Sequence, residues 1–221
     1  MELRPLAAGS AAFGRLGVPR LAALGLPRWV SVPLALVALD AGNYFAHWLL
    51  HRVDVLWEFH KVHHSSRTLD WLATFRSHFV EQALRRLVAP VLLVVAGFPL
   101  DTVVAAAGLF TAWATFNHSN LRARLGPLEA LLVTPGFHRA HHVPRTAERN
   151  LGTVFTVWDL LRGTLIRAEP AADVELGVPL ETASYPQDWL RQLVKPCSAI
   201  RLRSSRSSSG NALVPPAIDT V

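Results

Sequence analysis

Apolar residues gather in three long runs, and the polar stretches between them are rich in histidine. Residues 29–50, WVSVPLALVALDAGNYFAHWLL, contain a single acid, Asp40. Coiled as a helix, a run of this length crosses roughly 30 Å of hydrocarbon. Residues 79–98 and 100–117 form two further apolar runs. The link FPLD at 98–101 supplies a proline break and an aspartate N-cap, so the two runs predict a tight helical hairpin over 79–117. Arg85 and Arg86 stand near the start of the first run, with stems long enough to carry their charge to an interface. The plainer alternative is a helical hairpin buried inside a soluble protein.

The remaining sequence is mixed. Residues 51–78 interleave Arg, His, Asp and Glu with Trp and Phe, the pattern of an amphipathic segment at a membrane surface. Residues 119–196 predict short helices broken at the Pro/Gly positions 126–127, 135–136 and 177–179. Residues 1–28 carry Arg4, Arg15 and Arg20 without a strong apolar centre, which marks a weak N-terminal membrane or interfacial segment. From 197 to 221 the chain is Ser-rich with Arg201, Arg203 and Arg206, a composition that builds no core and predicts a disordered tail. The pattern as a whole predicts an all-α integral membrane helical bundle, with about 3–4 membrane helices. A histidine-rich helical layer caps it, and the functional domain occupies 29–196.

Composition sharpens this picture. Hydrophobic residues make up 51% and charged residues 17% of the chain, against about 25% charged in an average soluble domain. That excludes a disordered or fibrous protein. The single cysteine, Cys197, excludes a disulfide framework and a Cys-rich zinc site. The net charge is +6, and apart from Lys61 and Lys195 every basic residue is Arg. In a chain this apolar, the charge predicts cytoplasmic flanks and lipid headgroup contacts, with no nucleic-acid partner.

The candidate chemistry lies in the histidines. Of the 10 in the chain, most fall in three short windows. His47 and His51 in HWLLH are four apart, one turn on one helical face. His60, His63 and His64 in HKVHH stand at i, i+3 and i+4, and His138, His141 and His142 repeat that spacing in HRAHH. Each triplet can present three nitrogens from about one helical turn, and imidazole suits Zn, Cu, Fe and Ni. These clustered ligands exceed what one metal can use, so two metals are implied. Neither HWLLH nor HKVHH has the Glu a zincin needs as base, and there is no Glu-x-x-His, dinucleotide or Walker A motif. A histidine-rich, carboxylate-poor pair of metals beside membrane helices fits O₂ chemistry at an unactivated C–H bond of a lipid. Asp40 lies seven residues before His47, two turns back on a similar face. It is therefore a candidate to hold an imidazole N–H, with a polar residue lining the bundle as the equal alternative.

The three boxes in this order resemble those of the fatty acid hydroxylase superfamily, which includes the sterol desaturases. The likeness extends to His78 in RSHFVE, His118 in NHSN, LGPLEALLVTPGFHRAHH at 125–142, NLG at 150–152, VWDLLRGT at 157–164 and YPQDWLRQL at 185–193. It covers roughly residues 34–196. The family often has HP before Glu where this chain reads His78-Phe79-Val80-Glu81, and its members usually have more membrane-spanning sequence before the first box. The resemblance implies a membrane-bound di-iron enzyme that hydroxylates or desaturates a sterol, fatty acid or related lipid. It also implies O₂ as co-substrate and electrons from an external NAD(P)H-linked donor, a ferredoxin or cytochrome b5-type protein with its reductase. On the same grounds Asn150 and Asp159 are candidates for the shell behind the ligands.

A hairpin over 79–117 returns the chain to the level at which it left, so His78 and His118 are expected on one membrane face with the three boxes, completing one metal centre. Arg67, Arg76, Arg122, Arg124, Arg139, Arg145 and Arg149 cluster in the same segments and mark that face as cytoplasmic in a multi-pass protein. Two rival readings are a non-catalytic membrane metal-binding or metal-transport protein, and a bis-histidine haem protein. The second needs single histidines on separate helices, not triplets.

Overall fold

The computed structural model describes residues 24–167 and 174–208. The weak N-terminal segment expected at 1–28 lies almost wholly outside them, as does the end of the tail, 209–221. Seven α-helices form among the described residues: α1 Arg28–Arg52, α2 Asp54–His64, α3 Phe79–Val95, α4 Leu100–His118, α5 Pro135–His141, α6 Val157–Arg162 and α7 Trp189–Ser208. Short 3₁₀ turns link them, and no β-strand is present among these residues. The all-α expectation holds.

Among the described residues one helix, α1, is long and apolar enough to cross a membrane. Its buried face runs Ala35, Leu39, Asn43, Ala46 and Leu50, the i+3/i+4 spacing of a single stripe. The expected hairpin is there as α3 and α4. Gly97 turns the chain at φ 89°, a left-handed conformation that costs glycine nothing. The Phe98 N–H then reaches back to Leu93 O at 3.1 Å and seats the buried Phe98 ring under the turn. Ala35 and Leu39 of α1 pack with Ala89, Leu93, Phe98, Val103 and Ala106 in one core cluster. A Cβ placed at Gly42 would lie 3.1 Å from Ala89 Cβ, so α1 and α3 touch through small residues. Outside this core, Leu87, Val91, Leu92, Val104 and Leu109 are each more than half exposed, an apolar girdle around the hairpin. An ion pair between Arg28 and Asp101 ties the start of α1 to the start of α4 at the far end of the bundle from the histidines.

The other end carries the polar layer. Thr134 caps α5, with Pro135 at its first position, so the Pro–Gly pair opens this helix. Segment 174–195 lies over the outer side of α2. Gly177 N–H donates to His142 O at 3.2 Å, and the Gln187 and Gln192 side chains donate to Ser65 at 3.0 Å each. Lys61 is buried between Glu58 (2.9 Å) and Glu181 (2.5 Å). The disordered tail expected from 197 is corrected in its first part. Helix α7 continues to Ser208, because the apolar Trp189–Val194 stretch and the tether at Ser65 start a helix that the serines then extend.

Candidate metal centre

Nine histidines meet in two groups. His47, His51, His60, His64 and His141 form one, and His63, His118, His138 and His142 the other. Within each group, one ring nitrogen per residue lies within 4.8 Å of all the rest. Helices α2 and α5 each serve both groups in a crossed arrangement. The i, i+4 pair of α2 (His60, His64) joins the single His141 of α5, and the i, i+4 pair of α5 (His138, His142) joins the single His63 of α2. This is what an HxxHH spacing provides: two rings one turn apart on one face and a third turned aside. Helix α1 completes the five-histidine group and the end of α4 completes the four-histidine group. The groups are adjacent, with the His64 and His142 rings 4.7 Å apart.

Four of the outer nitrogens are held by backbone carbonyls. His47 Nδ1 lies 2.8 Å from Leu151 O, His63 Nδ1 3.1 Å from Arg76 O, His118 Nδ1 2.7 Å from Ala114 O and His141 Nδ1 3.0 Å from Arg149 O. A carbonyl only accepts, so each Nδ1 carries the proton and each Nε2 presents a lone pair. His60 Nδ1 faces the carboxylate of Glu81 at 3.0 Å, which favours the same tautomer there. Two such lone pairs then oppose each other, His47 Nε2 to His60 Nε2 at 3.1 Å and His63 Nε2 to His118 Nε2 at 3.2 Å. The ring nitrogens His51 Nε2, His64 Nε2 and His141 Nε2 are buried with no hydrogen-bond partner. Converging, unprotonated, unpartnered nitrogens fit a cation at each group, and imidazole donors suit a transition metal. Burial, the largest cause in each case, pushes His60, His63, His64, His138, His141 and His142 well below the ordinary histidine range, and keeps them in the neutral form that ligates metal.

His78 is the exception. It is buried, but it caps α3: its Nδ1 accepts from the Val80 N–H at 3.2 Å and its Nε2 donates to Leu193 O at 3.1 Å. With both nitrogens committed to backbone, it stands outside the two groups, and its expected ligand role is corrected to a cap and tether. The carboxylate expectation for Asp40 is corrected as well. Asp40 accepts from the Val154 and Phe155 N–H groups at 3.0 Å and from Trp158 Nε1 at 2.8 Å, so no imidazole reaches it. The incoming loop 150–156 brings more donors to that face of α1 than the histidine does.

Asp159 and Asn150 act through this loop. Asp159 accepts from the N–H groups of Leu151 (3.0 Å) and Gly152 (2.7 Å), fixing the residue whose carbonyl holds His47. Any Cβ at Gly152 would meet Phe155 O at 2.7 Å, so the close approach requires glycine. Asn150, at φ 54°, binds Phe137 O and both polar atoms of the Ile166 peptide, which steadies α5. The residue that sequence reasoning passed over is Glu81. Its signal was a lone acid entering an apolar run three residues after His78. The Arg85 guanidinium donates to it at 3.3 Å and to Asn43 Oδ1 at 3.0 Å.

A cavity opens beside the four-histidine group, between α1, α3 and α4. Leu39, Pro90, Ala107 and Phe110 line its apolar end, and Glu81, Gln82, Arg85 and Arg86 its polar side, with His63 and His118 in its wall.

Known proteins match this sequence. The fatty acid hydroxylase family model matches residues 32–164. The chain is 32% identical over 174 residues to ornithine lipid hydroxylase OlsE of Rhizobium tropici, covering 78% of this chain and 52% of that protein. It is 28% identical over 169 residues to alkylglycerol monooxygenase of Danio rerio, covering 72% and 37% respectively. It thus spans about half the length, or less, of these curated relatives. No solved structure matches. The family match covers more than half of the chain and contains the nine clustered histidines, and the chain belongs to the fatty acid hydroxylase family.

Proposed function

We propose that this protein is a membrane-embedded, iron-dependent oxidoreductase that hydroxylates a lipid with O₂. The observation that carries the reading is the pair of histidine groups, their lone pairs turned inward, beside a cavity that runs down between apolar helices. The relatives named as a lipid hydroxylase and a monooxygenase favour hydroxylation over desaturation. In the balanced reaction a C–H bond and O₂ take up two electrons and two protons and give C–OH and water. His47, His51, His60, His64 and His141 would hold one iron, and His63, His118, His138 and His142 the other. Bound iron supplies the reduction of O₂ and the power to break an unactivated C–H bond.

The chain's own residues do the rest. Backbone carbonyls fix the tautomers of His47, His63, His118 and His141, so these four rings are oriented before metal arrives. Segment 174–195 closes over α2 and excludes water. Helix α1 and the hairpin present apolar faces to the bilayer as a multi-pass bundle, which lets a long-chain substrate enter sideways. The histidine layer faces the cytoplasm. There the exposed Arg122, Arg145 and Arg149, in the segments flanking α5, form a basic surface suited to an acidic electron carrier such as a ferredoxin or cytochrome b5-type protein, itself reduced from NAD(P)H.

The test is to reconstitute the purified protein with ferrous iron, a reducing system and a membrane lipid extract under heavy-isotope oxygen gas, and to read the lipids by mass spectrometry. A lipid carrying one heavy oxygen atom is the expected product. Consumption of O₂ without label in any lipid would contradict the reading.

A further inference from the structure

The run YPQDWLRQL at 185–193 contains no histidine, yet both of its glutamines reach across to Ser65, at the end of α2. Gln187 donates to Ser65 O at 3.0 Å and to Tyr185 O at 3.3 Å, and its Oε1 accepts from Arg76 Nη2 at 3.1 Å. Gln192 is buried, and it donates to the Ser65 hydroxyl at 3.0 Å and to Pro186 O at 2.7 Å. Arg76 Nη2 gives its other proton to the Ser65 hydroxyl at 3.2 Å, and that hydroxyl donates to Val62 O at 2.7 Å. Two glutamines, one serine and one arginine thus lock the run to α2 and to the link before α3.

Arg76 connects this lock to the histidines. Its carbonyl accepts from His63 Nδ1 at 3.1 Å, so one residue joins Gln187 to a ring of the four-histidine group. Arg76 follows the 3₁₀ turn Trp71–Phe75 and lies outside any helix, so the direction of its carbonyl depends on what holds the residue. A second anchor lies at Gly177, whose N–H donates to His142 O at 3.2 Å and fixes another peptide of the same group. Beside it, Leu176 is buried against Leu69 and Ala73, in the segment that leads into Arg76. Segment 176–192 therefore supports one ligand on α2 and one at the end of α5. In the five-histidine group the orienting carbonyls come from elsewhere, Leu151 O for His47 and Arg149 O for His141.

Resting on the two-metal reading above, we propose that segment 176–192 is a clamp that sets the metal affinity of the four-histidine group, with Arg76 as its positioning residue. Gln187 holds the Arg76 guanidinium, Arg76 O holds the proton on His63 Nδ1, and His63 Nε2 stays turned towards the cation. Gly177 secures the second ligand-bearing helix at its end. By linkage the effect runs both ways: metal in the four-histidine group steadies the clamp, and a released clamp loosens that metal. The five-histidine group lies outside this coupling, so releasing the clamp loosens one iron and leaves the other in place.

The test uses the full chain in detergent, with and without ferrous iron under anaerobic conditions, and reads amide hydrogen exchange along segment 176–192. Iron is expected to slow exchange there in the wild type and in His51→Ala, which removes a ligand from the five-histidine group. It is expected to have no such effect in His138→Ala, which removes a ligand from the four-histidine group. Equal protection in the two variants, whether kept or lost, the reverse pattern, or no protection in a wild type that holds two irons overturns the proposal. Chelator competition supplies a second reading. Gln187 is exposed, so Gln187→Leu folds, and it is expected to loosen one of the two irons about tenfold while the other keeps its wild-type affinity. Added to His138→Ala, it is expected to leave the remaining iron unchanged. Arg76→Met is expected to match it, and the double variant to be no worse than either single one, as for two groups on one route. Both irons loosened alike, neither loosened, or two losses that add in full overturns the proposal. A wild type that takes up no iron overturns the metal reading, and the proposal with it.

Discussion

His47 Nε2 and His60 Nε2 face each other across 3.1 Å, although the proton of each ring is drawn to the opposite side, by Leu151 O at 2.8 Å and by Glu81 at 3.0 Å. Two lone pairs at that distance repel unless a cation lies between them. The fold therefore holds the rings in an arrangement that metal stabilises. Removing metal with a chelator is expected to lower the thermal unfolding midpoint by several degrees, and adding ferrous iron to restore it, because a ligand that binds only the native state adds to stability by mass action. Differential scanning fluorimetry in detergent reads this directly. An unchanged midpoint would argue against a built cation site.

The metal-free protein is also expected to be acid-sensitive. Burial holds His60, His63, His64, His138, His141 and His142 well below their ordinary value, while in the unfolded chain they take up protons near pH 6.5. Below that pH the unfolded state binds more protons than the native state, so stability is present above about 6.5 and is lost as the pH falls further. Each ring contributes up to about 1.4 kcal/mol per pH unit. Chemical denaturation of the stripped protein between pH 8 and pH 5 checks the sign, which a flat profile would contradict.

His78 and His118 flank the same hairpin and are expected to behave differently. His118→Ala removes a ring that points Nε2 at His63 and His138, at 3.2 Å and 2.9 Å, and should lower bound metal. His78→Ala removes a helix cap and the tether to Leu193 O, at a cost of about 1 kcal/mol, and should leave metal content at the wild-type level. Metal analysis and unfolding curves of the two variants separate these roles.

Asp159→Asn is expected to act at a distance. The amide keeps one acceptor oxygen for two N–H donors, so Leu151 or Gly152 loses its partner at a cost of about 1–3 kcal/mol. The carbonyl of Leu151 moves with that peptide, and His47 loses its orientation. Metal affinity is predicted to fall about 10–100-fold, read by chelator competition. An equally large loss at the four-histidine group alone would contradict this route.

Much of the site is legible in the sequence because helical spacing determines it. The HxxxH and HxxHH boxes project their rings to one side whatever surrounds them, and FPLD predicts the hairpin. What escapes is set by contacts between distant segments. Glu81 is an acid in an apolar run until α3 packs beside α2 and brings it to His60. The carbonyls of Arg76, Ala114, Arg149 and Leu151 leave no mark in sequence at all, because every residue type offers one. Asp40 shares a face with His47 by count, but loop 150–156 brings two N–H groups to it first, and α6 the Trp158 indole. His78 has the right neighbours for a ligand and instead completes a helix start.

The most direct test of the two-centre account is the metal-to-protein ratio of the purified protein reconstituted anaerobically with ferrous iron, with His138→Ala beside it. The account predicts two irons per chain in the wild type. In His138→Ala it predicts about one, since that ring serves only the four-histidine group. A ratio of one or less in the wild type, or full occupancy in the variant, would contradict it.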